Sequence, residues 1–137
     1  MNAIPRGIAN NNPGNVERLG TPWLGMADDQ SGDTRFIVFK SPIYGVRAIA
    51  KILMSYRRSG LRTIRAMIDR WAPPVENDTS AYIDDVSQRC GIGPDDDIAT
   101  LTPAILTALV EAIIRHENGQ QPYPQATIEQ AVGMVVA

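Results

Sequence analysis

The chain reads as a single, mainly α-helical domain that carries a small β-hairpin and spans residues 1–137. Three observations predict this. Apolar residues recur at helical spacing in successive segments after Ser41, capping and stop residues bracket those segments, and one short stretch before Ser41 is instead rich in β-formers around a turn. A chain of this length buries roughly two-thirds of the surface that its unfolded form exposes, so it can fold without staples. The single Cys90 allows no internal disulfide, and no Cys and His cluster has structural zinc spacing. Neither a metal nor a cofactor is predicted.

Taken in order, Gly7 to Gly20 is an ordered loop rather than a helix. Asn10-Asn11-Asn12-Pro13-Gly14-Asn15 combines residues that tolerate left-handed backbone with a proline that blocks helix. Trp23 to Met26 and Thr34 to Phe39 are the two strands of the hairpin, joined by the turn-rich Asp28-Asp29-Gln30-Ser31-Gly32-Asp33. From Ser41 the period changes. Ser41 can cap, Pro42 suits a first helical position, and Val46, Ile49, Ala50, Leu53 and Met54 recur at helical spacing up to Gly60. A second helix runs from Leu61 to Trp71 and stops at Pro73-Pro74. A third spans Ser80 to Cys90, capped by Asp78 or Thr79 and closed by Gly91. Thr102-Pro103 opens the helix that continues to Glu117, whose wide apolar stripe marks it as central to the core. A last amphipathic segment covers Thr127 to Val136.

Charge and hydropathy narrow the function. Thirteen basic against fifteen acidic residues leave a net charge of −2, which is no footprint for nucleic acid. Arg57, Arg58, Arg62, Arg65 and Arg70 read as the solvated faces of two helices. No apolar stretch is long enough to span a membrane. The N-terminal Met1-Asn2-Ala3-Ile4-Pro5-Arg6-Gly7 lacks the basic flank, apolar core and cleavage site of a secretory signal.

Glu117 is the candidate for chemistry. It lies four residues beyond Ile113 and eight beyond Leu109, so it continues a stripe that should be buried, whereas Glu111 shares the solvated face of Thr107 and Arg115. Burial and the negative end of the helix dipole both disfavour its anion. A carboxyl kept protonated in this way can act as a general acid, as glycoside cleavage requires. The plain alternative is that His116-Glu117-Asn118-Gly119 is a polar helix end with glycine in the cap. The sole histidine, His116, has no evident partner for a triad or a metal site, and reads as a surface or supporting residue. Asp28, Asp29 and Asp33 offer a second carboxylate or simply build a turn. Asn10, Asn11, Asn12 and Asn15 can hydrogen-bond N-acetyl groups or satisfy loop backbone. Trp23 and Tyr123 can line a sugar cleft, while Tyr56 and Trp71, at helical spacing, are read as core.

Several segments together resemble the flagellar glucosaminidase and lytic transglycosylase branch of the lysozyme-like peptidoglycan hydrolases. They are Trp23-Leu24-Gly25, then Phe36-Ile37-Val38-Phe39-Lys40-Ser41 leading into a helix, then Arg70-Trp71-Ala72-Pro73 followed by Tyr82-Ile83. That family carries its catalytic glutamate on a helix before these pieces. Here the matching segment, Ala112-Ile113-Ile114-Arg115-His116-Glu117-Asn118-Gly119, comes after them, so the resemblance implies a circularly permuted lysozyme-like domain. The stretch Pro74 to Thr79 is an insertion relative to the family pattern. The resemblance implies cleavage of peptidoglycan glycan strands, with Glu117 and Tyr82 in the catalytic site. It also implies a bacteriophage virion or lysis protein, held in the virion or the host cytoplasm before delivery to the periplasm or cell wall, with other virion proteins as partners. The same resemblance extends to phage proteins that serve only as virion structural or wall-binding modules.

Overall fold

The computed structural model describes residues 4–75 and 77–136, so the expectations resting on Met1 to Ala3 and on Glu76 of the insertion fall outside the described residues. Among the described residues six helices follow one another: α1 (Arg6–Ala9), α2 (Pro42–Arg58), α3 (Ile64–Trp71), α4 (Thr79–Cys90), α5 (Pro103–Asn118) and α6 (Gln125–Val136).

Caps set most of the boundaries. The Thr63 hydroxyl accepts from the Ala66 amide at 3.1 Å, the Asp78 carboxylate from Ala81 at 3.1 Å, and Thr102 from Ile105 at 3.2 Å. With Thr63 as its cap, α3 starts at Ile64, three residues later than Leu61. Ser41 occupies the N-cap position of α2 but makes no side-chain cap bond, and Pro42 alone pre-sets the first turn. Gly91 and Gly119 end α4 and α5 in left-handed conformation, at φ 67° and 72°.

The main core is built where α5 packs on α2, α4 and α6, with α3 packed against α4. Leu106, Leu109, Val110, Ile113 and Ile114 of α5 meet Val46, Ile49 and Leu53 of α2, Val86 of α4 and Ile128 of α6, all of them buried. A smaller cluster, Ile37, Phe39 and Ala48 with Val16, Trp23, Met26 and Tyr44 against it, seats the N-terminal lobe on α2. Gly45 permits that seating, because a Cβ there would lie 1.9 Å from the Asn11 carbonyl oxygen.

Two sequence expectations are corrected. Arg6–Ala9 forms one helical turn inside the stretch read as loop, its last carbonyls engaged by the amides of Asn10 to Asn12. The β-hairpin does not form: among the described residues there is no strand, only the isolated antiparallel bridges Glu17 to Phe36 and Met26 to Phe39. The reason lies in where the backbone of residues 34–39 finds its partners. Ile37 donates to Val16, Phe39 to Asn10 and Lys40 to Gly25, while Val38 accepts from Ala27, so no one neighbour runs alongside for a ladder. Side chains take the remaining groups. Gln30 bonds both the amide and the carbonyl of Val38, at 2.9 and 2.7 Å, and Asn12 donates to the Ile37 carbonyl at 2.8 Å.

Candidate functional site

Glu117 stands half-buried in the last turn of α5, directly after the buried Leu109 and Ile113 of the same stripe. The loop 13–15 meets it. Asn15, in left-handed conformation at φ 51°, donates its side-chain amide to Glu117 Oε1 at 3.2 Å. Asn118 secures the same junction, donating to the carbonyls of Pro13 at 2.8 Å and Ile114 at 2.9 Å. Segments more than a hundred residues apart are thereby joined at the end of α5.

Glu117 and Asn15 open onto a groove of about 950 Å³. Trp71, Tyr56 and Phe36 give it aromatic walls, Arg35 and Arg70 bring cations, and Leu19 and Val75, at 80% and 94% exposure, form apolar lips. Among the described residues Glu17 is the other carboxylate lining the groove. It is committed to Arg35, accepting from Nε at 2.9 Å and from Nη2 at 2.5 Å.

Behind Glu117 lies a buried polar group. The Tyr82 ring is 1% exposed and stacks on His116 with centroids 3.7 Å apart, and His116 Nδ1 sits 2.7 Å from Asp85 Oδ2. The Tyr82 hydroxyl falls short of hydrogen-bond geometry with any described residue. Burial first, then the adjacent Glu117 carboxylate, raise its pKa far above the usual phenol range, against a smaller opposing effect of the Trp71 indole. Asp85 is partly desolvated, yet bonds from His116 and Arg89 hold its carboxyl below the ordinary value.

The remaining predicted site residues lie elsewhere. Asp33 is buried beneath the lobe, where Arg6 grips it with two bonds of 2.6 Å and Asn10 with one of 2.8 Å. The Arg6 guanidinium, followed by the amides of Phe36 and Arg35, overcomes the cost of burial and holds its pKa far below the carboxylate range. Asp28 and Asp29 are exposed and do not line the groove. Asp29 is tied into the turn by the Ser31 amide at 2.9 Å, and the Ser31 hydroxyl first, then that amide, lower its pKa. Asn10, Asn11 and Asn12 spend their amides on Asp33, on the Phe39 carbonyl, and on the carbonyls of Val16 and Ile37. Trp23 packs in the small cluster, and Tyr123 packs on the main core with its hydroxyl pushed up to about 12 by burial. Glu111, read as solvated, is half-buried in a separate 610 Å³ groove between α5 and α6.

Sequence reasoning missed the partner of His116 and the walls of the groove. Tyr82 and Asp85, three residues apart, share one face of α4, the spacing that could have linked Asp85 to whatever Tyr82 meets. Tyr56 and Trp71 do touch the core, and their outer faces line the groove.

Over 135 residues, 95% of this chain and 81% of the relative, the sequence is 37% identical to Protein P5 of Pseudoalteromonas phage PM2. The chain belongs to the family of that phage protein. No protein-family model matches it. For this member of the Protein P5 family, the expectation of a phage-associated protein therefore holds at that level. Among the described residues, no helix is long and apolar enough to cross a membrane, and no cluster of His, Cys, Asp and Glu has the makings of a metal site.

Proposed function

We propose that this protein cleaves the glycan strands of bacterial peptidoglycan, with Glu117 protonating the glycosidic oxygen. The observation that carries the reading is the Glu117 carboxyl, half-buried at the wall of an aromatic groove with one oxygen held by Asn15 at 3.2 Å. An oriented carboxyl of this kind presents its second oxygen to a bound strand, which is what a general acid needs. Trp71, Tyr56 and Phe36 offer the flat apolar faces on which sugar rings stack. The resemblance to lysozyme-like hydrolases in permuted order supports the same activity, and kinship with a phage protein supports delivery to the wall from a virion or at lysis.

The route follows from the carboxylates present. Asp28, Asp29 and Asp33 are not in the groove, and Glu17 is neutralised by Arg35. Among the described residues Glu117 is the carboxyl left for the chemistry, giving its proton to the leaving oxygen and then taking one from the group that captures the oxocarbenium-like sugar. Capture by a hydroxyl of the same sugar makes an anhydro end, and capture by water makes a reducing end. Tyr82, packed behind the carboxyl, positions it.

Purified cell-wall sacculi provide the test, with turbidity reading the cleavage and mass spectrometry the new ends. Clearing with anhydro or reducing sugar ends is the expected result. An inert protein on sacculi of several chemotypes would overturn the reading in favour of a virion structural or wall-binding role.

A further inference from the structure

We infer that Arg70 makes the groove selective for carboxylate-bearing glycan over neutral glycan; this rests on the proposed glycan-binding role of the groove. Arg70 lies in the last turn of α3, exposed, with its guanidinium 5.9 Å from the centroid of the Tyr56 ring. Among the described residues no carboxylate stands within ion-pair distance of it. Every other charge among the described groove residues has a partner: Glu17 is paired with Arg35, and Glu117 is held by Asn15. With Glu17 and Arg35 paired to each other, Arg70 is the groove cation that no described carboxylate neutralises.

The geometry also suits a carboxylate. The cation–π contact lies near the outer limit of such contacts, so it orients the side chain along the aromatic wall without occupying its donors. A guanidinium fork presents two parallel N–H groups, which match a carboxylate and gain nothing comparable from a neutral hydroxyl or amide. A strand lying on Tyr56 and Trp71 would bring any acidic substituent on its sugars, or on a peptide attached to them, to that fork.

The experiment uses binding, so that it does not depend on turnover. Dissociation constants are measured for Glu117→Gln, with and without Arg70→Gln, against three soluble probes. These are peptidoglycan strands with their peptide stems, strands whose stems have been removed to free the sugar-borne carboxylate, and the latter after carbodiimide amidation. Glu117→Gln should bind at least one acidic strand about tenfold more tightly than the amidated one, the scale of a charge-assisted hydrogen bond, and the gap should shrink with salt. Arg70→Gln should remove the gap, and Arg70→Lys should restore part of it. Preference for stem-bearing strands assigns the carboxylate to the peptide, and preference for stem-free strands assigns it to the sugar. Equal binding of acidic and amidated strands, or a gap that survives Arg70→Gln, overturns the inference. Failure of the parent to clear sacculi would instead defeat the cleavage reading and leave the binding result standing.

Discussion

From α2 onward the chain is held by apolar side chains, with Leu106, Val110 and Ile113 of α5 shut between neighbouring helices. Between Asn10 and Lys40 it is held by carboxamides and a buried carboxylate: Asn12, Gln30 and Asp33 bond backbone groups that no ladder or helix satisfies. Helices satisfy their own backbone and need only area. An irregular lobe must supply a partner for each buried amide and carbonyl, which makes its stability depend on single side chains. The candidate site lies on the seam, taking Glu117 from the helical body and Asn15 from the lobe.

The largest effect expected is on chemistry rather than stability. Glu117→Gln keeps the size of the side chain but has no acidic proton to give, so cleavage of sacculi should fall on the order of 10²–10⁴-fold while circular dichroism stays at the parental spectrum. A folded variant that cleaves at the parental rate would remove Glu117 from the mechanism.

Within the helical body, Leu106→Ala should cost about 2–5 kcal/mol in urea unfolding, because the fully buried side chain leaves a cavity. The lobe should answer differently to Asn12→Ala, which orphans the Ile37 carbonyl and the Val16 amide and should cost about 1–3 kcal/mol. Limited proteolysis would show cuts between residues 19 and 35 in that variant, with helical content retained. If Asn12→Ala instead lowers the whole helical signal in one step, body and lobe are a single cooperative unit.

Acid should sharpen the contrast. Asp33 has a folded pKa held far below its unfolded value by Arg6, so its contribution is complete above the unfolded pKa of about 3.9 and is lost as pH falls toward the folded value. The stability difference between parent and Asp33→Asn should be flat above about pH 5 and shrink below about pH 4. A difference that stays constant down to pH 2 would mean that Asp33 is not ionised in the fold.

The smallest change is predicted for Tyr82→Phe. Its hydroxyl is buried without a complete hydrogen bond among the described residues, so its removal should shift stability by less than about 1 kcal/mol, toward a more stable protein. A loss of rate matching that of Glu117→Gln would move Tyr82 from positioning into the chemistry.

The positions of α2 to α6 and the candidacy of Glu117 were legible in the sequence because both are local. Period, caps and terminal glycines act within a few residues, and a carboxyl on an apolar stripe is visible from spacing alone. The hairpin was misread for a reason also seen in particular residues: Ile37 and Phe39 do alternate into a core, but whether their backbone pairs with one strand or with Asn10, Val16, Gly25 and Gln30 is decided by segments far away along the chain. The same holds for the site. That Asn15 meets Glu117, that Asp85 meets His116, and that Trp71 and Arg70 face a groove while Asp33 is locked away beneath Arg6 depend on which helix faces meet, and that follows from burying all the apolar stripes at once. Sequence by itself determined helices α2 to α6 and the carboxyl at the end of α5, because each is set by nearby residues. Only the tertiary structure decided that carboxyl's partners, because hydrogen bonds and ion pairs form between groups that packing brings within a few ångströms, whatever their distance along the chain.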